Sequence, residues 1–450
     1  MGYFFYDEEK EYDENEIELY YLSNTISYGI NINEKNNDRY FDSNGLLKNS
    51  DNKEESDKGF TESDFRRLIS EKIHKIVYGE KFSNIVFLAG AGASVVKDRP
   101  EYGKTVRMIA NNIYKNLEKS DNLFGFVNLA KKCQYNNGEI LDDDNKQLNE
   151  AFNLENFLSK LFQYRPFVSN DDKDKFEKSI KEILQQIKNN TNYSYNSKYL
   201  KHGALLNFLS DLSAKEGNKF SVITTNYDDL IEKAAVDNNF VVFDGFNFTE
   251  PPKFDSTMFE WNLVKEVNYI NTREVEFKEK TFNLIKIHGS LTWEKQENGN
   301  ILRKNKDNIR DIDSTVMIFP SSDKFAQSYQ EPYFELFTKF QDLIKRPNTL
   351  LITSGFSFAD EHISKMITQA LKNTSSLKLL ITDYNINPNK ERNEGEKKFY
   401  KIEENDSRYN HNWAEMERLM KEGYSVTFLK ATMNDNLVDY LSGRYLNDKN

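Results

Sequence analysis

The chain has 450 residues, room for one domain with a normal core or for two to three, and 30% charged against 38% hydrophobic residues is a soluble balance. A formal net charge of −11 argues against broad nucleic-acid binding, because no basic stripe overrides the mean. No apolar run approaches the roughly 20 residues of a membrane span, the start Met1–Lys10 lacks a basic-then-apolar leader, and the single cysteine, Cys133, excludes an intrachain disulfide, so a cytoplasmic protein without membrane contact is expected.

Residues 1–60 read as an acidic, Asn-rich N-terminal extension, with Asp51–Lys58 as a solvated linker and the aromatic residues at the extreme N-terminus as a docking segment. Thr61-Glu62-Ser63-Asp64 then offers a helix cap ahead of Phe65, Leu68, Ile69, Ile73 and Ile76 at helical spacing. Ile85–Ala89 is an uninterrupted apolar run that flows into Gly90-Ala91-Gly92-Ala93-Ser94, a buried strand breaking into a phosphate-binding turn. The full dinucleotide fingerprint needs a third glycine where Val95 stands, so this segment alone fits an ordinary strand-to-helix turn equally well.

From Pro100 to about Gly217 the pattern is helical and predicts an inserted helical layer that includes Asn153–Leu161. Its lysine-rich stretch, Lys173–Lys188, carries Phe176, Ile180, Ile183, Leu184 and Ile187 at helical spacing among acids, the pattern of a solvated amphipathic helix rather than a basic patch. Strands are expected again near 220–225, 284–288, 315–319, 349–354, 377–383 and 424–429, alternating with helices near 226–236, 361–372 and 412–421. That alternation predicts an α/β fold with a parallel sheet. The intervals 237–283 and 294–314 read as irregular or small β insertions. The 33 phenylalanines and 25 tyrosines exceed what one ligand site could use, so most belong to core or contact surface.

Three of these strands end in residues suited to a ligand. Ser221-Val222-Ile223-Thr224 runs into Thr225, Asn226 and Asp228, and Leu284–Ile287 runs into His288, Gly289 and Ser290, beside the glycine turn at Gly90. Polar side chains converging at the carboxyl ends of strands mark the ligand edge of a doubly wound sheet. A neutral amide such as Asn226 both donates to and accepts from ribose or water. His288 is a candidate general base, since an imidazole titrates near neutrality; a satisfied core histidine is its bland alternative. Asp228 could instead cap the helix that follows it, and Ser94 could cap a helix as readily as it could bind phosphate. His74, His202, His362 and His411 lie in or beside helical patterns without metal-ligand spacing, and Cys133 between helical neighbours reads as an ordinary thiol.

The ordered motifs Gly-Ala-Gly-x-Ser at Gly90–Ser94, Thr-x-Asn-x-Asp at Thr224–Asp228 and His-Gly at His288-Gly289 resemble the signature of the sirtuin superfamily. Ser354-Gly355-Phe356-Ser357 looks like that family's later Gly-x-Ser loop, and Leu379–Asn385 like its adenosine-side strand end, so the resemblance covers about 60 to the C-terminus. It implies a Rossmann-like parallel sheet of the Sir2 type over 61–450, with the helical insertion at about 100–217. It implies NAD as the ligand, with Asn226 as the essential asparagine, Asp228 against nicotinamide or the cationic ribose, and His288 as base. Gly90, Ala91, Gly92, Ser94, Thr225, Gly355, Ser357 and Asp383 would form the cofactor-binding set, Asp383 accepting from adenosine ribose hydroxyls.

Departures from the pattern choose a branch. One cysteine cannot form the four-cysteine zinc ribbon of protein deacylases, and Val95–Thr105 departs from their post-glycine loop. The chain looks instead like bacterial sirtuin-like proteins of anti-phage defence, which hydrolyse NAD to nicotinamide and ADP-ribose; Val316–Pro320 through Tyr329 to Tyr333 is similar to that branch. A protein deacylase or ADP-ribosyltransferase, and a non-catalytic nucleotide-binding subunit of a defence complex, are the alternatives. With no room for an appended sensor domain after 424–429, control is expected from homo-oligomerisation, from a HerA-type hexameric ATPase or from a phage protein trigger.

Overall fold

The computed structural model describes residues 16–31, 39–47, 60–135, 140–142, 147–149, 152–213, 218–266, 275–309, 314–317, 331–393, 395, 398–406 and 408–447. Contacts group the chain into two compact units. One comprises Met1–Ala93, Ala204–Phe220 and Gln341–Asn450; the other comprises Ser94–Gly203 and Ser221–Phe340.

In the first unit, strand Thr349–Ser354 pairs parallel with Asn84–Ala89 on one side and with Lys378–Asp383 on the other, and Lys378–Asp383 pairs parallel with Val426–Lys430. Asn84–Ala89 and Thr349–Ser354 are buried at every position, which is why their sequences are unbroken apolar runs rather than alternating ones. Helices Glu62–Tyr78, Glu361–Asn373 and His411–Lys421 each bury one stripe. Glu62–Tyr78 starts at the expected cap, where the Thr61 hydroxyl accepts from the Asp64 NH at 3.2 Å and the Asp64 carboxylate accepts from the Thr61 NH at 3.1 Å.

The described part of the 1–60 stretch differs from the acidic extension expected of it. Ile17–Leu22 pairs antiparallel with Val426–Lys430, and Ser27–Asn31, Arg39–Asp42 and Gly45–Leu46 continue as an antiparallel meander. Ile17, Leu19 and Tyr21 are buried with half-buried Glu18 and Tyr20 between them, and Leu22 is buried as well, a period-two pattern hidden by the acidic composition around it. Tyr20, Tyr28 and Tyr40 surround Phe65 with ring centroids 5.7, 6.2 and 5.0 Å from its own. Part of the aromatic surplus is therefore core. Asp51–Lys58 and Met1–Lys10 lie outside the described residues.

The second unit holds the helical layer. Helices Val106–Leu117, Phe126–Lys132, Leu154–Tyr164 and Asn170–Thr191 enclose one apolar cluster, in which the Phe126 and Phe157 rings stack at 4.5 Å. Phe176, Ile180, Ile183, Leu184 and Ile187 face that cluster, as their spacing predicted. Its strands run in the order Phe220–Thr224, Thr281–Lys286, Val241–Phe243. Val241–Phe243 pairs parallel with Thr281–Lys286, Thr281 opposite Val241, so six residues of the interval 237–283 read as insertion, 241–243 and 281–283, belong to the main sheet; a strand as short as Val241–Phe243 gives no period to detect. Among the described residues the insertions hold small β pieces and the 3-10 turns Ser256–Glu260 and Lys306–Asn308. Gly289–Lys295 pairs antiparallel with Ile301–Arg303 and Thr315–Met317, and Val264–Glu266 forms a hairpin with Val275–Phe277. Of the segment Val316–Tyr333, residues 318–330 lie outside the described residues. The fold is thus mixed α/β with a parallel-rich sheet, consistent with the Rossmann-like Sir2 type.

Candidate functional site

In the first unit, two glycine turns pack back to back at the ends of Asn84–Ala89 and Thr349–Ser354. Gly92 N–H donates to Gly355 O at 3.0 Å, Gly90 N–H to Ser354 O at 3.0 Å and Gly355 N–H to Thr382 O at 3.1 Å. A Cβ at Gly90 would stand 2.4 Å from Gly355 O, one at Gly92 2.7 Å from Gly355 Cα, and one at Gly355 2.4 Å from Ala93 N. Gly355 also has φ +59°, the left-handed region that favours glycine. The space a side chain at Gly92 would fill belongs to the backbone of Gly355. The close approach that the glycines permit here is turn against turn, a packing reason that the motif itself did not reveal.

Three further features lie on the same strand ends. Ser357 is exposed, its carbonyl accepting from Asn410 Nδ2 at 2.7 Å. Asp360, two residues past the Phe358 turn, caps helix Glu361–Asn373 by accepting from the His362 and Ile363 amides. Asp383 ends its strand nearly buried, accepting from the Asn385 amide at 3.3 Å, and burial pushes its carboxyl up to about 6. Asn434, which sequence reasoning did not single out, donates from Nδ2 to the Ala93 carbonyl at 2.9 Å and so steadies the glycine turn from below.

In the second unit, Ser94, Asn226 and Asp228 are joined side chain to side chain. Asn226 Nδ2 donates to Ser94 Oγ at 3.0 Å, and the Ser94 hydroxyl donates to Asp228 Oδ2 at 2.8 Å. The loop that carries them is fixed at both ends. Asn226 N–H donates to Thr224 Oγ1 at 3.0 Å, where Thr224 ends its strand and Thr225 follows half-buried. At the other end Leu230 N–H donates to Asp228 Oδ1 at 3.2 Å. One Asp228 carboxylate oxygen thus accepts from the first amide of helix Leu230–Asp237, whose N-cap position is Asp229, and the other accepts from Ser94. Ser94, as the last residue of a 3-10 turn over Ala91–Ser94, uses its hydroxyl on Asp228 rather than on a helix end.

Asp228 is buried, and its carboxyl is pushed up to about 6 by that burial, against which the Lys286 ammonium, the Ser94 hydroxyl and the Leu230 amide pull down. Lys286 was not anticipated. It is 1% exposed at the end of Thr281–Lys286, with its ammonium donating to the Asp228 carbonyl, to Tyr227 O at 3.5 Å and to Glu232 Oε1 at 2.9 Å. The signal was present as a lysine inside the apolar run Leu284–Ile287, since a cation in a buried strand must have partners. His288 follows two residues later, buried in the turn between Thr281–Lys286 and Gly289–Lys295, its ring centroid 6.4 Å from that of Phe337. Gly289, at φ +84°, makes the turn possible.

A cavity of about 740 Å³ opens beside this loop, with Asp229, Glu232, Asp244, Thr292 and Arg303 in its wall. Arg303 forms an ion pair with Asp244, and Lys306 with Asp229 at 3.3 Å, so both aspartates of the wall are paired with a cation. Among the described residues no group of three or more His, Cys, Asp or Glu side chains is placed to hold a metal ion. Cys133 is buried in the helical layer, and burial pushes its thiol up to about 11, where it is an inert thiol at neutral pH. His202 is held well below the usual imidazole range, at about 3, by complete burial.

Residues 221–404 match the family model of the SIR2-like domain. The matched span contains Asn226, Asp228, His288, Gly355, Ser357 and Asp383, and it begins after Gly90–Ser94. It supports membership of the Sir2-like superfamily and, at that level, an NAD-utilising enzyme. No curated protein matches the chain.

Proposed function

We propose that the protein is an NAD glycohydrolase, which splits the nicotinamide–ribose bond of its substrate to nicotinamide and ADP-ribose without zinc. The observation that carries this reading is the Asn226–Ser94–Asp228 chain of hydrogen bonds within a span of SIR2-like sequence. Breaking the bond leaves the electron pair on the nicotinamide nitrogen, which departs neutral, and positive charge on the ribose. Asp228 supplies the opposing charge once ionised, above about pH 6. The Asn226 amide holds water or ribose hydroxyl without neutralising that cation, and His288 takes the proton as the water oxygen bonds to the anomeric carbon. Gly90, Ala91, Gly92, Ser94, Thr225, Gly355, Ser357 and Asp383 are assigned to cofactor binding.

Biologically, the reading extends to an anti-phage effector that depletes NAD, acting as a homo-oligomer under the control of a HerA-type ATPase or a phage protein. Trp261, Val264, Val275 and Phe277, large apolar side chains exposed on or beside one hairpin, support an assembly surface. Chromatography of NAD incubated with the protein, alone and with its partner, tests the chemistry. Release of nicotinamide and ADP-ribose is expected. NAD left intact while an acylated peptide loses its acyl group would replace the hydrolase with a deacylase.

A further inference from the structure

We infer that Lys286 is a positioning residue of this site: its ammonium ties the loop bearing Asn226 and Asp228 to the helix behind it, and with Glu232 it sets the charge on the Asp228 carboxyl. The inference rests on reading Asp228 as the anion that faces a cationic ribose.

The geometry comes first. A buried ammonium has three N–H donors and no acceptor, and each donor left unmatched costs heavily in a dry environment. Lys286 has three acceptors to match: the Asp228 carbonyl, the Tyr227 carbonyl at 3.5 Å and Glu232 Oε1 at 2.9 Å. Two belong to the main chain of the loop and one to the first turn of helix Leu230–Asp237. One side chain therefore fixes the backbone on which Asn226 and Asp228 are carried. Lys286 ends its strand, and the turn that follows carries His288 two residues later. A leucine or methionine at 286 would fill the volume and leave both carbonyls without this donor.

Charge comes second. The groups facing Asp228 are Lys286 from the neighbouring strand, Glu232 from the helix, and the Tyr193 phenol from the segment after helix Asn170–Thr191. Tyr193 is pushed up to about 12 by burial and stays neutral. Lys286 draws the Asp228 carboxyl down and Glu232 draws it up, so the two act in opposition on a group that burial has already moved toward neutrality. Glu232 reaches the wall of the cavity, and its Oε2 makes no hydrogen bond. Glutamine at 232 keeps the side-chain shape and an acceptor oxygen for Lys286 while removing the charge.

Opposed effects give a signature that a merely structural lysine lacks. Lys286→Met and Glu232→Gln are compared with the wild type for NAD hydrolysis across about pH 5 to 9. In Lys286→Met the acid limb should move up by about one pH unit, a roughly fivefold loss near pH 6 that approaches tenfold at lower pH, the low end of what an adjacent opposite charge is worth. In Glu232→Gln it should move down. Limbs that stay in place while activity falls equally at every pH would overturn the inference. Should Lys286→Met fail to fold, Glu232→Gln decides alone, because an unmoved or raised limb is the refuting result. If the wild type leaves NAD intact, the hydrolase reading fails separately. The inference is then read from carbon-13 titration of aspartate-labelled protein, with Asp228→Asn assigning the resonance: opposite displacements in the two variants uphold it, and coincident titrations refute it.

Discussion

Replacing Asp228 with asparagine should make the protein more stable at neutral pH while removing its activity. The carboxyl is pushed from an ordinary value of 3.8 to about 6 in the folded chain, so the fold prefers it protonated. The sign follows directly. Below about pH 4 the group is neutral folded or unfolded, and its contribution is at its most favourable. As pH rises from about 4 to 6 the unfolded chain ionises first, stability falls, and above about 6 the loss is complete. Two units at 1.36 kcal/mol each set that loss at about 3 kcal/mol.

An amide is neutral throughout and escapes the loss, but it cannot accept at both oxygens. Asp228 accepts from the Ser94 hydroxyl at one and from the Leu230 amide at the other, and an NH2 group facing either donor forfeits about 1 kcal/mol. The expected net gain for Asp228→Asn at pH 7 is therefore about 2 kcal/mol, together with a flattened stability profile between about pH 4 and 6. Urea unfolding at several pH values measures both. A variant less stable than wild type at pH 7, with the wild-type pH slope intact, would show that Asp228 is not a strained anion and would remove the electrostatic basis of its assigned role.

Other substitutions separate chemistry from support. Asn226→Ala and His288→Ala should each lower NAD turnover by roughly 10²–10⁴-fold, the usual worth of a positioned acid–base group, with unfolding transitions close to wild type; normal turnover in the His288 variant would end its assignment as base. Gly92→Val should abolish soluble folded protein rather than NAD affinity alone, because its Cβ meets Gly355 Cα at 2.7 Å; a folded variant that merely fails to bind NAD in a calorimetric titration would contradict this. Phe65→Ala should cost about 3–5 kcal/mol in urea unfolding, since Phe65 is buried beneath Tyr20, Tyr28 and Tyr40. A cost below about 1 kcal/mol would mean that the N-terminal strands do not pack as described.

The parallel strands were legible because burial on both faces writes itself as an unbroken apolar run, in Ile85–Ala89, Thr349–Ile352 and Leu379–Ile381. The strands between Ile17 and Leu46 were not, because they are short and the acids and asparagines around them set the composition. Val241–Phe243 was too short to show any period. The Asn226 and Asp228 loop was found from its place at a strand end, yet its bond to Ser94, more than 130 positions away in sequence, has no local signal at all.

Lys286 shows where sequence reading stopped short of what it held. A charge within Leu284–Ile287 is an exception to the apolar rule that located the strand, and the rule's own physics says that such an exception must be neutralised and hydrogen-bonded. The glycines carry two demands at once: Gly90, Gly92 and Gly355 look like a ligand signature, and each is also required by the backbone of the opposing turn. A glycine motif thus records a close approach without saying what approaches. An ionisable side chain in a buried strand records more, because its charge demands a partner of opposite sign or a cage of carbonyls, and here Lys286 has both in Glu232 and the Tyr227–Asp228 main chain.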